Sequence, residues 1–406
     1  MDVLHPRCCG IDVHKETVVA CLRAQDGRRK DAQVRSFGTT TADLLRLRVW
    51  LIEARCTHVA MESTGVYWQP VFNVLEGACA VVLANAQHIK AVPGRKTDVK
   101  DCEWLAELLA HGLIRASFIP PPAIRELRDL TRQRKSLIRD RIRTVNRVHK
   151  LLETANVKLS GVVTDIMGVS SRAILHALVA GETNPTRLAA LAHGSFARKR
   201  PQLVAALEGR FTPHHGFLLG QLLTQIDQLA TLITACDARI RDVAGPCESQ
   251  IGRLQTITGV GRRSAEVIVS EIGIDMSRFA TSAHLASWAR LCPGTHESAG
   301  KRRPAGTGLG NNWLRTTLLE SAWAATLART GYLRAQYRRI SRRRGPKRAA
   351  IAVAHSILVI AYHILRSGTT FEDLGADYFD RLNVARAKRY HLQRLTELGC
   401  DVSRVA

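Results

Sequence analysis

The chain reads as an α/β domain succeeded by mainly helical ones, and three observations carry that class. The first 120 or so residues alternate short Val/Ile-rich runs with helix-period segments, Pro120-Pro121-Pro122 stop that pattern, and the rest of the chain is almost all amphipathic helix. At 406 residues the chain exceeds the roughly 250 to 300 residues at which single cores stop growing, so two or three domains are expected. A hydrophobic content of 46% is enough to fold them and excludes disorder of the whole chain.

In order, residues 8–14 and 17–24 are runs of Val, Ile, Cys and Ala parted by His14, Lys15 and Glu16, which predicts a β-hairpin. Val34 to Phe37 predicts a third strand, Thr41 to Glu53 an amphipathic helix behind a threonine cap, and His58 to Glu62 a buried strand. A helix over 66–75 and a strand over 80–84 come next. Over 98–111, Val99, Cys102, Leu105, Ala106, Leu108 and Leu109 recur at helical spacing. The order β-β-β-α-β-α-β-α is that of an RNase H-like sheet domain, over residues 1–120.

Consecutive prolines continue neither a helix nor a central strand, so a boundary is expected at 120. From Ile124 to about Leu159 a stripe of Leu127, Leu130, Leu137, Ile138, Ile142, Val145, Val148 and Leu152 predicts a long helix of coiled-coil type. Residues 121–250 are read as this helical linker region. At Leu254 a third region begins, 251–406, where Leu254, Ile257, Gly259, Val260, Gly261 and Ala265 have helix-hairpin-helix spacing. Gly259 and Gly261 could let the backbone approach a phosphate, and a plain helix-helix turn is the alternative. A glycine-rich stretch over 293–312 precedes a further helix. Ala349 to Leu365 is short for a membrane span, carries His355 and His363, and is expected to be a buried helix.

Lys plus Arg number 59 against 35 Asp plus Glu, a formal charge of +24. Residues 1–115 hold 15 basic and 13 acidic side chains, so residues 116–406 carry 44 against 22. That imbalance excludes an ordinary metabolic enzyme and favours a polyanionic partner, bound through phosphates in a salt-sensitive way. Arg342, Arg343 and Arg344, with Lys347 and Arg348, form the densest cluster. The ten cysteines contain no CxxC and suggest reduced thiols, and no Cys or His set has zinc-ligand spacing. Nothing at the start has the pattern of a secretory signal, so a cytoplasmic location is expected.

Asp12 lies in the first strand, Glu62 at the end of a later one, and Asp98 and Asp101 one helical turn apart. Four carboxylates at one sheet edge would repel unless a hard divalent cation faced them, and a two-cation site suits phosphodiester chemistry.

The same residues carry a resemblance. Gly10-Ile11-Asp12-Val13-His14-Lys15, Met61-Glu62-Ser63-Thr64-Gly65-Val66-Tyr67 and Lys96-Thr97-Asp98 with Asp101 resemble successive motifs of the insertion-sequence-110 family of transposases. In the later part the likeness rests on 257–261, Ala289-Arg290-Leu291-Cys292-Pro293-Gly294, Glu297-Ser298 and Gly308-Leu309-Gly310-Asn311 with Leu314-Arg315. It implies a RuvC-like domain with an Asp-Glu-Asp-Asp tetrad binding Mg2+, a coiled-coil linker and a carboxy-terminal transposase domain with a nucleophilic serine, matched by Ser298. The family commonly has Ser followed directly by Gly, whereas here Ala299 intervenes before Gly300, which leaves Ser287 and Thr295 as alternatives. Lys301, Arg302, Arg303 and Arg315 would offset charge on the phosphate.

The resemblance further implies a phosphoserine intermediate, donor and target DNA, a structured guide (bridge) RNA, and homo-oligomers, dimer and tetramer, at the bacterial nucleoid. No membrane partner is expected. Two rivals need less of the chain: a RuvC-like nuclease that cuts branched DNA with water, and a non-catalytic nucleic-acid scaffold.

Overall fold

The computed structural model describes residues 3–26, 29–63, 65–84, 98–114, 116–292, 296–298, 300–303, 310–382 and 384–399. The chain divides into two compact units, Met1–Ile119 and Pro120–Ala406.

The first unit is built on a five-stranded sheet: β1 (Arg7–Val13), β2 (Thr17–Asp26), β3 (Arg29–Gly38), β4 (His58–Glu62) and β5 (Ala80–Ala84). The strand order is β3-β2-β1-β4-β5, antiparallel from β1 to β3 and parallel from β1 to β5, which is an RNase H-like arrangement. The third strand is much longer than Val34 to Phe37. Its sequence, RKDAQVRSFG, is mostly polar, Asp31 to Ser36 are exposed, and what holds the strand is the ladder to β2 rather than an apolar run.

Helices α1 (Thr41–Glu53) and α2 (Trp68–Leu75) cover one face of the sheet, and α3 (Asp98–Ala110) covers the other. Thr40 caps α1 by accepting from the Asp43 amide, a contact worth about 1 kcal/mol. The helix then buries Leu44, Leu47, Trp50 and Leu51 against Cys9, Ile11, Val59 and Met61 of the sheet.

In the second unit, α4 (Pro122–Thr154) begins with Pro122, whose missing N–H costs nothing in a first turn. It ends at Thr154 rather than near 159, because Asn156 turns at φ 55°. Then come α5 (Leu159–Val162), α6 (Val169–Val179), α7 (Pro185–Ala190), α8 (Arg200–Leu207) and the long α9 (Pro213–Ala244). Val148 and Leu152 of α4 share a core with Leu219, Leu222 and Leu223 of α9, while Arg134 pairs with Asp237, so the two helices lie antiparallel. The expected stripe on α4 is not uniformly buried: Leu127, Leu137, Val148 and Leu152 are, and Ile142 is 53% exposed.

The remaining elements are α10 (Glu248–Leu254), α11 (Arg262–Ile272), α12 (Ser282–Trp288), the hairpin β6 (His296–Ser298) and β7 (Lys301–Arg303), α13 (Asn312–Thr326), α14 (Tyr332–Arg344), α15 (Pro346–Ser367), α16 (Tyr378–Arg381) and α17 (Val384–Glu397). Among the described helices α15 alone is long and apolar enough to cross a membrane. Here it is a core helix that buries Val353, Ala354, Ile357, Leu358, Ala361 and Tyr362.

The boundary expected near 250 does not separate compact units. Glu271 of α11 is fully buried and takes Arg132 of α4 through both carboxylate oxygens at 2.7 and 2.8 Å, while Arg128 donates to its backbone carbonyl at 2.7 Å. Thr131 and Ser270 hydrogen-bond beside them. These bonds tie the long helix into the last third of the chain.

Candidate active site

Alternation along β1 sets the site, since successive side chains point to opposite faces of a sheet. Cys9, Ile11 and Val13 point to α1 and α2, and Cys8, Gly10 and Asp12 point to α3. On β4, Val59 and Met61 share the first face, and Ala60 shares the second with Glu62. β1 and β4 are parallel, with Gly10 opposite Ala60 and Ile11 opposite Met61. The next step along puts Asp12 beside Glu62, at the carboxyl ends of adjacent strands and on the face that α3 covers.

Helix α3 closes over that face without an intervening side chain on β1. A Cβ at Gly10 would lie 2.1 Å from the Cys102 carbonyl oxygen and 2.5 Å from the Ala106 nitrogen. Cys8, two residues earlier, packs with Leu109 and Ala110 and donates to the Ala106 carbonyl. Contacts on the helix move toward its start as β1 moves toward Asp12, so α3 runs antiparallel to the strand. Its first turn, Asp98 to Asp101, falls at the level of Asp12. An Arg23–Glu107 ion pair fastens the same helix to β2.

The fold thus brings Asp12, Glu62 and Asp101 to one end of the sheet. Asp12 is 18% exposed and meets His14 Nε2 at 3.1 Å; Glu62 and Asp101 are half-buried. Asp98 is the first residue of α3, and its side chain lies outside the described residues. Among the described residues no three Asp, Glu, His or Cys side chains group closely enough to hold a metal ion.

Ser298 ends β6 in register with Lys301 of β7, and Gly300 just before β7 takes φ 72°. The residue after the serine and the side chains of Ser298, Arg302 and Arg303 lie outside the described residues, as does Thr295. Lys301 is exposed, Ser287 is exposed on α12, and Arg315 is half-buried one turn into α13. The segment after Ser287 and the one before Arg315 meet. Gly310 sits against the Ala289 carbonyl and Arg290, where a Cβ would come within 2.6 Å of either, and Asn311 caps α13 while donating to Glu271 at 2.6 Å. Glu271 is the residue that sequence reasoning missed. Its only signal is a charge inside the apolar run of α11.

The turn between α10 and α11 joins two short helices, and Gly259 has φ 89° in it. Its missing side chain is required by α13, since a Cβ would lie 2.3 Å from the Ser321 carbonyl. Close packing inside the protein therefore explains Gly259. Gly261 has open space around it and is the extended residue that caps the start of α11. Arg262 and Arg263, next in the chain, are held by Glu248, Glu266 and Asp237. Arg342, Arg343 and Arg344 are exposed at the end of α14, where cations suit the helix dipole, and Lys347 and Arg348 extend the patch onto α15. Arg342 also reaches the Tyr390 hydroxyl at 3.4 Å.

Two family models match the chain, together over more than half of it. One, described as a transposase and named for the insertion-sequence-110 DEDD type, matches residues 9–157. The other, described as the transposase IS116/IS110/IS902 family, matches residues 252–338. A Sinorhizobium fredii protein named “Putative transposase y4rJ” is 27% identical over 264 residues, 63% of this chain and 61% of its own. A Streptomyces coelicolor protein, named “Insertion element IS110 uncharacterized 43.6 kDa protein”, is 32% identical over 123 residues, 29% of each chain. The chain thus matches less than two thirds of the length of either relative. The carboxylate end of the sheet falls inside the first matched region, and the Ser298 hairpin inside the second.

Proposed function

We propose, from the premise that the chain belongs to the insertion-sequence-110 family of transposases, that it is an RNA-guided recombinase that cuts and rejoins DNA through a phosphoserine. The observation that carries this reading is the register of β1 on β4, which aligns Asp12 with Glu62 beneath the first turn of α3. Sequence-distant acids placed at one sheet end are the donor set that a hard divalent cation takes. Asp12, Glu62, Asp98 and Asp101 would hold magnesium, which when bound supplies charge to orient a phosphodiester and stabilise its leaving oxygen.

Ser298 would attack phosphorus with its hydroxyl oxygen. The phosphoserine bond forms as the P–O bond to the leaving strand breaks, and the freed strand end takes a proton as a hydroxyl. The reverse step on another strand restores the serine, so the ester is conserved and no nucleotide hydrolysis is required. Lys301, Arg302, Arg303 and Arg315 would oppose the charge that builds on the phosphate.

The second unit carries the excess of 44 basic over 22 acidic residues, so it would supply most of the phosphate contacts to donor DNA, target DNA and a structured guide RNA. Gly261 and Arg342 to Arg344 are the positions we assign to that binding. In this reading the protein works as a homo-oligomer, dimer or tetramer, in the bacterial cytoplasm.

Incubating the purified protein with magnesium and element-junction DNA separates the readings. A covalent protein-DNA adduct supports the recombinase, hydrolysed ends without an adduct support a water-using nuclease, and binding alone supports a scaffold.

A further inference from the structure

All nine described cysteines are unbridged, and five of them, together with the half-buried Cys79, lie in the first unit. Two pairs of thiols come together there, Cys21 with Cys102, both buried, and Cys56 with Cys79, the pair with a member open to solvent. Cys56 closes the turn after α1, where its amide bonds the Leu51 carbonyl, and Cys79 closes the turn after α2, where its amide bonds the Leu75 carbonyl. The two turns lead into the parallel strands β4 and β5, whose pairing starts at His58 and Ala80, so the thiols face one another at the entrance to both strands. The Cys79 thiol donates to the Cys56 carbonyl oxygen at 3.4 Å, the Cys56 thiol donates to the His58 carbonyl at 3.3 Å, and both pack on the same core. Cys56 is 6% exposed, whereas Cys79 is half-buried and open to a small reagent.

We propose that Cys79 and Cys56 form a peroxide-reactive dithiol, a modification site in which Cys79 attacks and Cys56 resolves. The Cys79 thiolate attacks one oxygen of hydrogen peroxide and becomes a sulfenic acid; the O–O bond breaks, and the released hydroxide takes a proton to give water. The Cys56 sulfur then displaces the sulfenic oxygen, the S–S bond forms, and a second water leaves. Two thiols lose two electrons in all, and the peroxide gains them.

Charge supports the division of roles. Interaction with the neighbouring Cys56 thiol, aided by the Arg48 guanidinium, brings Cys79 down to about 7, while the same pairing and burial push Cys56 up. The loop closed by such a bond contains α2, β4 and Glu62. The bond itself sits before the opposite end of β4, a strand that runs about 13 Å from His58 to Glu62. It therefore fastens the sheet edge and leaves the carboxylate end unchanged.

Arg55 and Lys90 bound a single tryptic peptide that contains both thiols. The test treats the full-length protein with one equivalent of hydrogen peroxide at pH 7, caps free thiols with N-ethylmaleimide and maps the digest. The expected result is a 56–90 peptide that escapes capping and is lighter by two hydrogens, formed before Cys236 or Cys292 reacts and reversed by dithiothreitol. Cys56→Ser should leave a sulfenic acid on Cys79 that dimedone traps, and Cys79→Ser should remove both products. The wild-type digest decides even if a variant folds poorly. The proposal is overturned if Cys79 reacts no faster than Cys236 and Cys292, if another thiol pair closes first, or if dimedone marks a different residue.

Discussion

Gly10 and Cys102 lie so close that a Cβ on the glycine would stand 2.1 Å from the cysteine's carbonyl oxygen. That spacing is what lets α3 press onto β1, and it sets where Asp101 falls relative to Asp12. Gly10→Ala should therefore act twice. Forcing a methyl against helix backbone should lower stability by about 1–3 kcal/mol, and lifting α3 should slow DNA chemistry further than the stability loss explains. Urea unfolding and a recombination assay on the same preparation check this. Wild-type values for both would mean that the helix accommodates the methyl and that its distance from β1 does not matter.

Asp12→Ala, Glu62→Ala and Asp101→Ala should each abolish recombination and leave folding and RNA binding unchanged, because each removes a donor from a shared cation site. Thermal melting and RNA gel shifts verify the second half. Full activity in one variant takes that residue out of the site.

Glu271 is buried between two arginines. Burial already draws the Arg128 guanidinium down to about 10, with the Glu271 carboxylate opposing that pull. Glu271→Ala leaves Arg128 and Arg132 without this partner and frees the Asn311 amide, so chemical denaturation should show a loss of about 3–5 kcal/mol. A loss within ~0.5 kcal/mol, the size of an ordinary surface change, would show that water replaces the carboxylate.

His355 on α15 has its pKa lowered by desolvation, below the ordinary 6.5. The unfolded chain then binds this proton more readily than the folded one. Stability from a neutral His355 is present above pH 6.5 and is lost as pH falls from there through the lower folded value. Unfolding free energy should drop across that window, and His355→Gln should flatten the drop. An unchanged slope in the variant would assign the pH dependence to other groups.

How much of the fold and site was legible from residues alone depends on the range of each contact. The element order, the stop at the three prolines and the buried helix over 349–365 are local patterns, and they are read directly from spacing. The extent of β3 is not, because Arg29 to Gln33 join the sheet through backbone pairing and leave no apolar signature. Placing β4 beside β1 joins residues 50 apart in sequence, and no periodicity reports that. At Gly259 the spacing left phosphate approach and a plain helix-helix turn both open, and it could not report that the backbone of α13 packs against it.

Whether Ser298 forms the bond to DNA is the central question, and trapping tests it most directly. A nicked or suicide substrate carrying an element junction should leave a protein-DNA adduct that survives denaturation, with peptide mapping placing it at residue 298. Ser298→Ala should give neither adduct nor recombination while still binding RNA and DNA. An adduct that persists in Ser298→Ala would move the role to Ser287 or Thr295, and unchanged hydrolysis without any adduct would contradict the phosphoserine mechanism altogether.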